Sequence, residues 1–211
     1  MASKRHLLDG ARLCVIVDAD ACGSRDPVEV AAEAVAGGAD IIQWRAKSLD
    51  GRRRWETARR MADALRPLSA LFIVNDHVDV AMAAAADGVH VGQDDLPPPV
   101  VRGLIGPGRV MGISTHSLAQ AEEAEAAGAD YIGVGPVFAT PTKPDSPPVG
   151  LGLVQEVSRR ILIPFVAIGG IDRLNLPLVL SSGARRVAVV RAVAGSSDVR
   201  SAAQAFKAML T

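Results

Sequence analysis

The chain has 211 residues, and its 23 lysines and arginines balance 23 aspartates and glutamates, so its formal charge at pH 7 is zero. This balance argues against a protein that coats nucleic acid, and no apolar run is long enough to span a membrane. Two cysteines are too few for a disulfide scaffold or a cysteine-bound metal. We therefore expect a cytoplasmic protein that has neither nucleic acid nor membrane as a partner, and we leave a homodimer open.

Short apolar runs alternate with longer amphipathic segments along the chain. The short runs predict eight strands, at 13–17, 39–44, 71–74, 89–91, 109–113, 130–137, 164–168 and 187–190. The amphipathic segments predict helices at 26–37, 48–65, 77–86, 100–105, 117–127, 151–161, 172–182 and 198–210. Asp26 and Pro27 are typical of an N-cap and the first helical position, whereas Pro177 fits poorly in the middle of its predicted helix.

Eight strands that alternate with eight helical segments predict an α/β fold, a single (β/α)8 TIM barrel over residues 1–211 with residues 1–10 as an N-terminal extension. A doubly wound open sheet is less favoured, because no Gly-x-Gly-x-x-Gly turn follows the first strand. Gly-Ala-Asp at 38–40 and 128–130, with Ala-Asp-Gly at 86–88 between them, indicates repetition within the barrel. The Pro-rich segment 138–149 is too long for an ordinary turn and is predicted to be a mobile lid.

Two carboxylates follow neighbouring predicted strands. Asp76 ends the apolar run at 71–74, and Asp95 closely follows the run at 89–91. Parallel strands end at the same rim, so these carboxylates should lie close together and repel each other unless a cation lies between them. Carboxylate oxygens from separate strands suit Mg²⁺, which keeps several waters and takes further oxygens from a substrate phosphate. We therefore predict a phosphate-handling site.

The other predicted strand ends supply cations, small hydroxyl groups and glycines. In a TIM barrel these ends line the active site. The candidates are Asp18, Gln43, Arg45, Lys47, Asn75, Asp76, Gln93, Asp95, Ser114, Thr140, Thr142, Lys143, Gly169, Gly170 and Arg191. Strand alternation directs Gln43, Arg45 and Lys47 to one face, and Trp44 and Ala46 to the other. No candidate nucleophile has an adjacent base.

Five patches, in order along the chain, resemble the thiamine phosphate synthase family. They are Gln-Trp-Arg-Ala-Lys at 43–47; Val-Asn-Asp at 74–76; Gly-Val-His-Val-Gly-Gln-Asp-Asp-Leu at 88–96; Gly-Ile-Ser at 112–114 with Gly-Pro-Val-Phe-Ala-Thr-Pro-Thr-Lys at 135–143; and Ala-Ile-Gly-Gly-Ile at 167–171. The resemblance implies a Mg²⁺-dependent transferase. It would join a pyrimidine methyl diphosphate to a thiazole phosphate and release thiamine phosphate and pyrophosphate.

The resemblance also assigns roles by position. It implies that Asp76 and Asp95 hold the metal, and that the pyrimidine diphosphate binds Gln43, Arg45, Lys47, Asn75, Ser114 and Lys143. Of these, Arg45, Lys47, Ser114 and Lys143 are the expected catalytic residues. The thiazole phosphate would bind Thr140, Thr142, Gly169, Gly170, Val190 and Arg191. The chain departs from the family pattern at Ala46, where an acid is usual, and at Arg191, where a small hydroxyl residue is expected.

Other interpretations remain open. Asp76 and Asp95 could cap the helices that follow them, and Gly169-Gly170 could be only a tight turn. His90 and His116 are interpreted as a strand-interior and a helix-start residue. The resemblance also leaves a thiazole tautomerase as an alternative, disfavoured because Pro136 stands where that enzyme has a histidine. A non-catalytic barrel that binds a phosphorylated compound is the third hypothesis.

Overall fold

The computed structural model describes residues 4–142 and 146–210 and consists of a closed barrel of eight parallel strands. The strands are β1 (Leu13–Asp18), β2 (Ile41–Arg45), β3 (Leu71–Asn75), β4 (Gly88–Val91), β5 (Val110–Thr115), β6 (Tyr131–Val134), β7 (Phe165–Ile168) and β8 (Val187–Val189). Each strand pairs with the next along the chain, and β8 pairs with β1 from Val187 opposite Leu13. The predicted TIM barrel is confirmed.

The part of the chain that the structure describes contains ten helices. They are α1 (Leu7–Gly10), α2 (Ala19–Cys22), α3 (Pro27–Ala36), α4 (Gly51–Leu65), α5 (Val78–Ala83), α6 (Pro98–Ile105), α7 (Leu118–Ala126), α8 (Gly150–Arg160), α9 (Leu176–Ser181) and α10 (Val199–Met209). The eight predicted helices correspond to α3 to α10, and the short helices α1 and α2 were not predicted. Among the described helices, none combines the length and the apolar character that crossing a membrane requires.

Two helices begin later than predicted because a carboxylate accepts backbone N–H groups just before or at the helix start. Asp50 is the N-cap of α4, and its side chain accepts a hydrogen bond from the N–H of Arg53 at 2.9 Å. Asp172 Oδ1 accepts from the N–H groups of Leu174 and Asn175, so residues 172–175 form a turn and α9 starts at Leu176. Pro177 therefore lies in the first turn of α9, where its missing N–H costs no helical hydrogen bond.

Strand β6 is shorter than the predicted strand at 130–137. It ends at Val134, just before Pro136, which has no N–H to donate. After the proline, Val137 donates to the carbonyl of Ile168 at 2.8 Å, which ties the start of the next loop to the end of β7. The expected lid at 138–149 includes residues 143–145, which lie outside the described residues.

The barrel has two apolar cores, one inside the sheet and one between the sheet and the helices. On β1, Leu13, Val15 and Val17 belong to the outer core, and Cys14 and Ile16 belong to the inner core. This alternation is the period-2 pattern of a strand with both faces buried. The inner core fills the lower part of the barrel, which leaves the upper part for a cavity.

The aspartates of the two Gly-Ala-Asp segments and of Ala-Asp-Gly at 86–88 have the same structural role. Each precedes an even-numbered strand, and its carboxylate accepts the N–H of a residue at the start of the preceding strand. The bonds join Asp40 to Leu13 at 2.9 Å, Asp87 to Phe72 at 2.9 Å and Asp130 to Met111 at 2.8 Å. The carboxylates thus satisfy strand N–H groups at the amino end of the barrel, which the ladder does not reach.

The N-terminal segment also packs at this end of the barrel. Lys4 Nζ donates to the carbonyls of Leu65, Leu68 and Ala70 at 3.4, 3.0 and 3.2 Å. Leu8 on α1 is 4% exposed and packs into the inner core. Residues 4–10 therefore contribute to the barrel's apolar interior, at the end away from the strand-end residues.

We predict that Asp40→Ala lowers the free energy of unfolding by about 2–3 kcal/mol. The substitution removes the acceptor of the Arg12 and Leu13 N–H groups, at 2.8 and 2.9 Å, and leaves Lys207 without its carboxylate partner. Urea unfolding of both proteins measures the change. Asp79→Ala, at an exposed position on α5, is the matched control and should be nearly neutral.

Candidate active site

A cavity of about 430 Å³ opens at the carboxyl ends of the strands. Most of the predicted site residues line it, namely Gln43, Arg45, Asn75, Ser114, Thr140, Thr142, Gly169, Gly170, Val190 and Arg191. Lys47, Asp76 and Asp95 are not among the lining residues; Lys47 reaches Asp76, which directly follows Asn75 of the wall. Lys143 lies outside the described residues, so its predicted role stays a prediction.

Strand β2 contributes the first polar groups of the cavity wall. Gln43 is 4% exposed, and its Nε2 has no hydrogen-bond partner within residues 4–142 and 146–210. Trp44 packs in the outer core, where its Nε1 donates to the carbonyl of Arg54 at 3.2 Å, and Ala46 is buried in the same core. A buried donor without a partner costs free energy, so Gln43 carries a hydrogen-bonding capacity that a ligand can use.

Arg45 is held by a buried ion pair with Asp18, its register partner on β1. The other oxygen of Asp18 accepts from the N–H groups of Asp20 and Ala21 at 3.1 and 3.2 Å, so it caps α2. These bonds leave Asp18 little freedom, and the guanidinium is oriented at the cavity wall. Sequence reasoning placed both residues at the rim but did not foresee their pairing.

Asp76 and Asp95 form the predicted carboxylate pair. Asp76 adopts a left-handed backbone conformation with φ +63°, and its N–H donates to the carbonyl of His90 at 2.7 Å. Burial and the neighbouring Asp95 raise the pKa of Asp76 above its ordinary value of 3.8. Lys47 Nζ, 3.7 Å from Asp76 Oδ2, acts in the opposite direction, but its side chain is 59% exposed and its effect is screened.

The capping interpretation of these two carboxylates is wrong. The N-caps of α5 and α6 are His77 and Pro97, and neither helix has a side-chain cap bond. Asp95 Oδ2 instead accepts from the N–H of Gly92 at 2.6 Å. No group of three or more His, Cys, Asp or Glu residues in the described part of the chain could hold a metal. Two carboxylates are nevertheless the protein contribution that Mg²⁺ commonly uses when phosphates and water complete its shell.

Three side chains below the rim, Tyr131, His90 and Ser114, are joined by hydrogen bonds that the sequence analysis did not predict. His90 contacts Tyr131 Oη through Nδ1 and Ser114 Oγ through Nε2, both at 2.9 Å. A Cβ on Gly112 would lie 2.4 Å from His90 Nδ1 and 2.3 Å from the Tyr131 ring, so only glycine fits there. His90 is a strand-interior residue as interpreted, but it also orients the predicted substrate ligand Ser114. A glycine inside a strand was the signal that could have indicated this crowding.

Backbone amides dominate the β7 and β8 side of the cavity. Gly170 has φ +63°, and a Cβ there would lie 2.6 Å from the carbonyl oxygen of Ala139. After β8, the carbonyl of Val190 accepts from the N–H of Ala194 at 2.8 Å, and no hydrogen bond from the N–H groups of Arg191 and Ala192 is found within the described residues. Exposed N–H groups of this kind suit an anion such as phosphate.

Neither cysteine is an activated nucleophile. Burial raises the pKa of Cys14 to about 12, and burial likewise raises the pKa of Cys22 to about 11 despite the nearby Arg25. Both therefore stay protonated at neutral pH, and the reactive species of a cysteine is the thiolate. Cys14 contributes only an apolar surface to the cavity.

The geometry agrees with the comparisons to known proteins. A family model described as thiamine monophosphate synthase matches residues 13–193. The chain is 48% identical over 200 residues to a thiamine-phosphate synthase of Shouchella clausii, which covers 94% of this chain and 96% of the relative. A solved thiamine phosphate pyrophosphorylase from Pyrococcus furiosus superposes with a TM-score of 0.88, at 39% identity and 97% coverage of both chains.

Some relatives are longer than this chain. A thiamine-phosphate synthase of Prochlorococcus marinus is 45% identical over 196 residues, which cover 92% of this chain but 56% of that relative. The chain thus spans about half the length of this relative, whereas it spans nearly all of the Shouchella clausii protein.

We predict that Asp76→Asn raises the melting temperature at neutral pH in the absence of Mg²⁺. Because the pKa of Asp76 is raised on folding, wild-type stability falls as pH rises from 3.8 through the folded-state value. The variant lacks this penalty, and asparagine tolerates the left-handed backbone. Thermal unfolding as a function of pH measures the difference, which should shrink as the pH approaches 3.8.

Mg²⁺ should raise the melting temperature of the wild type and have little effect on Asp76→Asn. Asp94→Asn, at the neighbouring exposed carboxylate, is the control and should follow the wild type. A variant no more stable than wild type at neutral pH would contradict the repulsion between the carboxylates.

Proposed function

This chain belongs to the thiamine monophosphate synthase family, and we propose that it joins 4-amino-2-methyl-5-(diphosphooxymethyl)pyrimidine to 4-methyl-5-(2-phosphooxyethyl)thiazole, forming thiamine phosphate and releasing pyrophosphate. As a member of this family it is a transferase of thiamine biosynthesis. The observation that carries the proposal is the carboxylate pair beside a cavity that also holds Arg45 and an unpartnered Gln43. Side chains suited to a metal ion, a diphosphate and a heterocycle thus lie close together, which supports the proposal.

Gln43 and Ser114 would recognise the aminopyrimidine. The ring presents an amino donor beside a ring-nitrogen acceptor, which matches the donor and acceptor of a carboxamide. Gln43 is buried and its Nε2 is unpartnered in the described residues, so a bound ring would satisfy it. Ser114 is held by His90, which supports a fixed direction for its hydroxyl.

The diphosphate would bind between the carboxylate pair and the cations. Asp76 and Asp95 would hold Mg²⁺; oxygen donors on adjacent strand ends, and an Asp76 pKa raised by burial and by Asp95, suit a divalent cation. When bound, Mg²⁺ would neutralise negative charge on the diphosphate. Arg45 and Lys47 would contact diphosphate oxygens, Asn75 would add an amide, and Lys143 is proposed to act with them.

The thiazole phosphate would bind the amide-rich side near β7 and β8. The N–H groups of Gly170, Arg191 and Ala192 are candidates for the phosphate oxygens, with hydroxyl groups from Thr140 and Thr142 of the cavity wall. In place of a small hydroxyl residue, Arg191 would add a charged contact. The two anionic groups would then bind at different parts of the rim.

The reaction needs no protein nucleophile. Cleavage of the bond between the methylene carbon and the diphosphate oxygen leaves a cation that the amino-substituted ring delocalises, and the thiazole nitrogen then attacks that carbon. The protein would stabilise the charge of the departing diphosphate by preorganised cations. The raised pKa values of Cys14 and Cys22 agree with a reaction that uses no cysteine nucleophile.

Product formation tests the proposal directly. Incubating the purified chain with both substrates and Mg²⁺ should yield thiamine phosphate and pyrophosphate in equal amounts, and a chelator should abolish both. Asp76→Asn should lower turnover by ~100-fold or more through loss of a metal ligand, and Asp94→Asn should not. Absence of product, with thiazole phosphate still bound, would favour the tautomerase or a non-catalytic barrel.

We predict that Gln43→Leu separates binding from stability. The substitution removes a buried amide that lacks a partner, so the free energy of unfolding should stay equal or rise by ~1 kcal/mol. The KM for the pyrimidine diphosphate should rise by ~10-fold or more because the ring loses its partner.

Steady-state kinetics with urea unfolding checks both effects of Gln43→Leu. Gln155→Leu, at an exposed position of α8, is the matched control. An unchanged KM for the pyrimidine diphosphate would remove Gln43 from the substrate site.

A further inference from the structure

Arg25, between α2 and α3, binds backbone carbonyls from two distant parts of the chain. Its Nε donates to the carbonyl of Cys22 at 3.3 Å, and its Nη1 donates to the carbonyl of Ser196 at 2.5 Å. Its Nη2 donates to the carbonyl of Ala194. The last two acceptors belong to the loop that follows β8, so the guanidinium joins this loop to the end of α2.

The same loop carries the free amides described above. It is a single turn in which the carbonyl of Val190 accepts from Val193 and Ala194, at 3.1 and 2.8 Å. Val193 and Ala194 are fully buried. The direction of the Arg191 and Ala192 N–H groups therefore depends on how the far end of the turn is anchored, and Arg25 holds that end at Ala194 and Ser196.

Helix α2, whose Cys22 carbonyl binds Arg25, is itself capped by a residue at the rim of the cavity. Helix α2 begins at Ala19, and its N-cap Asp18 also pairs with Arg45. Arg25 thus connects the β8 loop to Cys22, at the end of a helix whose start is capped by Asp18. A planar guanidinium can reach three carbonyls at once, which a lysine ammonium on a single flexible stem does less well.

We propose that Arg25 is a positioning residue for the thiazole phosphate. It is absent from the residues that line the cavity, and it acts by holding the amides after β8 in the arrangement that a phosphate requires. This inference rests on the proposed function and deepens it, because it assigns affinity for one of the two substrates to a residue outside the site.

The test compares Arg25→Met and Arg25→Lys with wild type and with Arg60→Met. Arg60 pairs with Asp26, the residue next to Arg25. Arg60→Met is therefore a control that removes a different arginine from the same region. In both Arg25 variants the KM for thiazole phosphate should rise, by ~10-fold in Arg25→Met, with kcat and the KM for pyrimidine diphosphate changed by less than ~2-fold. Arg60→Met should leave all three constants unchanged.

Two further measurements separate positioning from a general effect on folding. Added guanidinium ion, below denaturing concentrations, should partly restore the KM of Arg25→Met. Calorimetry should show weaker binding of thiazole phosphate and unchanged binding of the unphosphorylated thiazole alcohol. If Arg25→Met does not fold, the KM values and the calorimetry of Arg25→Lys test the proposal instead.

Wild-type KM for thiazole phosphate in both Arg25 variants would overturn the inference. A parallel loss of kcat and of both substrate affinities would also overturn it, because that pattern indicates a general structural role. A wild-type protein that forms no product would instead disprove the proposed function. In that case, calorimetry with thiazole phosphate still tests Arg25, and equal binding by wild type and variants would overturn its role.

Discussion

Pairing between β1 and β8 closes the sheet, and the position of every polar group in the cavity depends on that closure. In a closed parallel barrel all strands end at one rim, so residues as distant as Asp18 and Arg191 lie around the same opening. The apolar inner core occupies the other end, where Leu8 of α1 packs and where Asp40, Asp87 and Asp130 accept N–H groups near the strand starts. The residues that stabilise the barrel and the polar residues of the cavity therefore lie at opposite ends of the barrel.

The charges at the rim are not neutralised uniformly. Asp18 and Arg45 neutralise each other in a largely buried pair, whereas His77 and the exposed Lys47 offset the repulsion between Asp76 and Asp95 only in part. The uncompensated negative charge is therefore concentrated at the ends of β3 and β4. Strands β7 and β8 lie across the barrel and contribute mainly backbone amides, so the rim has one region suited to a cation with diphosphate and another suited to a phosphate alone.

Several features of the cavity cost stability without a ligand. Gln43 buries an unpartnered amide, Asp76 has a left-handed backbone and a pKa raised by burial and by Asp95, and the amides after β8 lack acceptors in the described residues. Each group has the hydrogen-bonding or charge capacity that the proposed substrates and metal would use. Local departures from favourable packing are expected at functional sites, where the ligand offsets their cost. Surrounding bonds, including those of Arg25, keep these groups in place.

The sequence by itself determined the eight strands, their order and the two carboxylates at neighbouring strand ends, because hydrophobic periodicity and the residue that ends a strand are local properties. It predicted helix starts less well, as in the segment before Pro177, since a side-chain hydrogen bond such as that of Asp172 can hold a turn where periodicity predicts helix. Only the tertiary structure decided that Asp18 pairs with Arg45, that Gly112 makes room for His90, and that Arg25 holds the loop at Ala194. These contacts depend on strand register and ring closure between residues far apart in the chain, which no local pattern encodes.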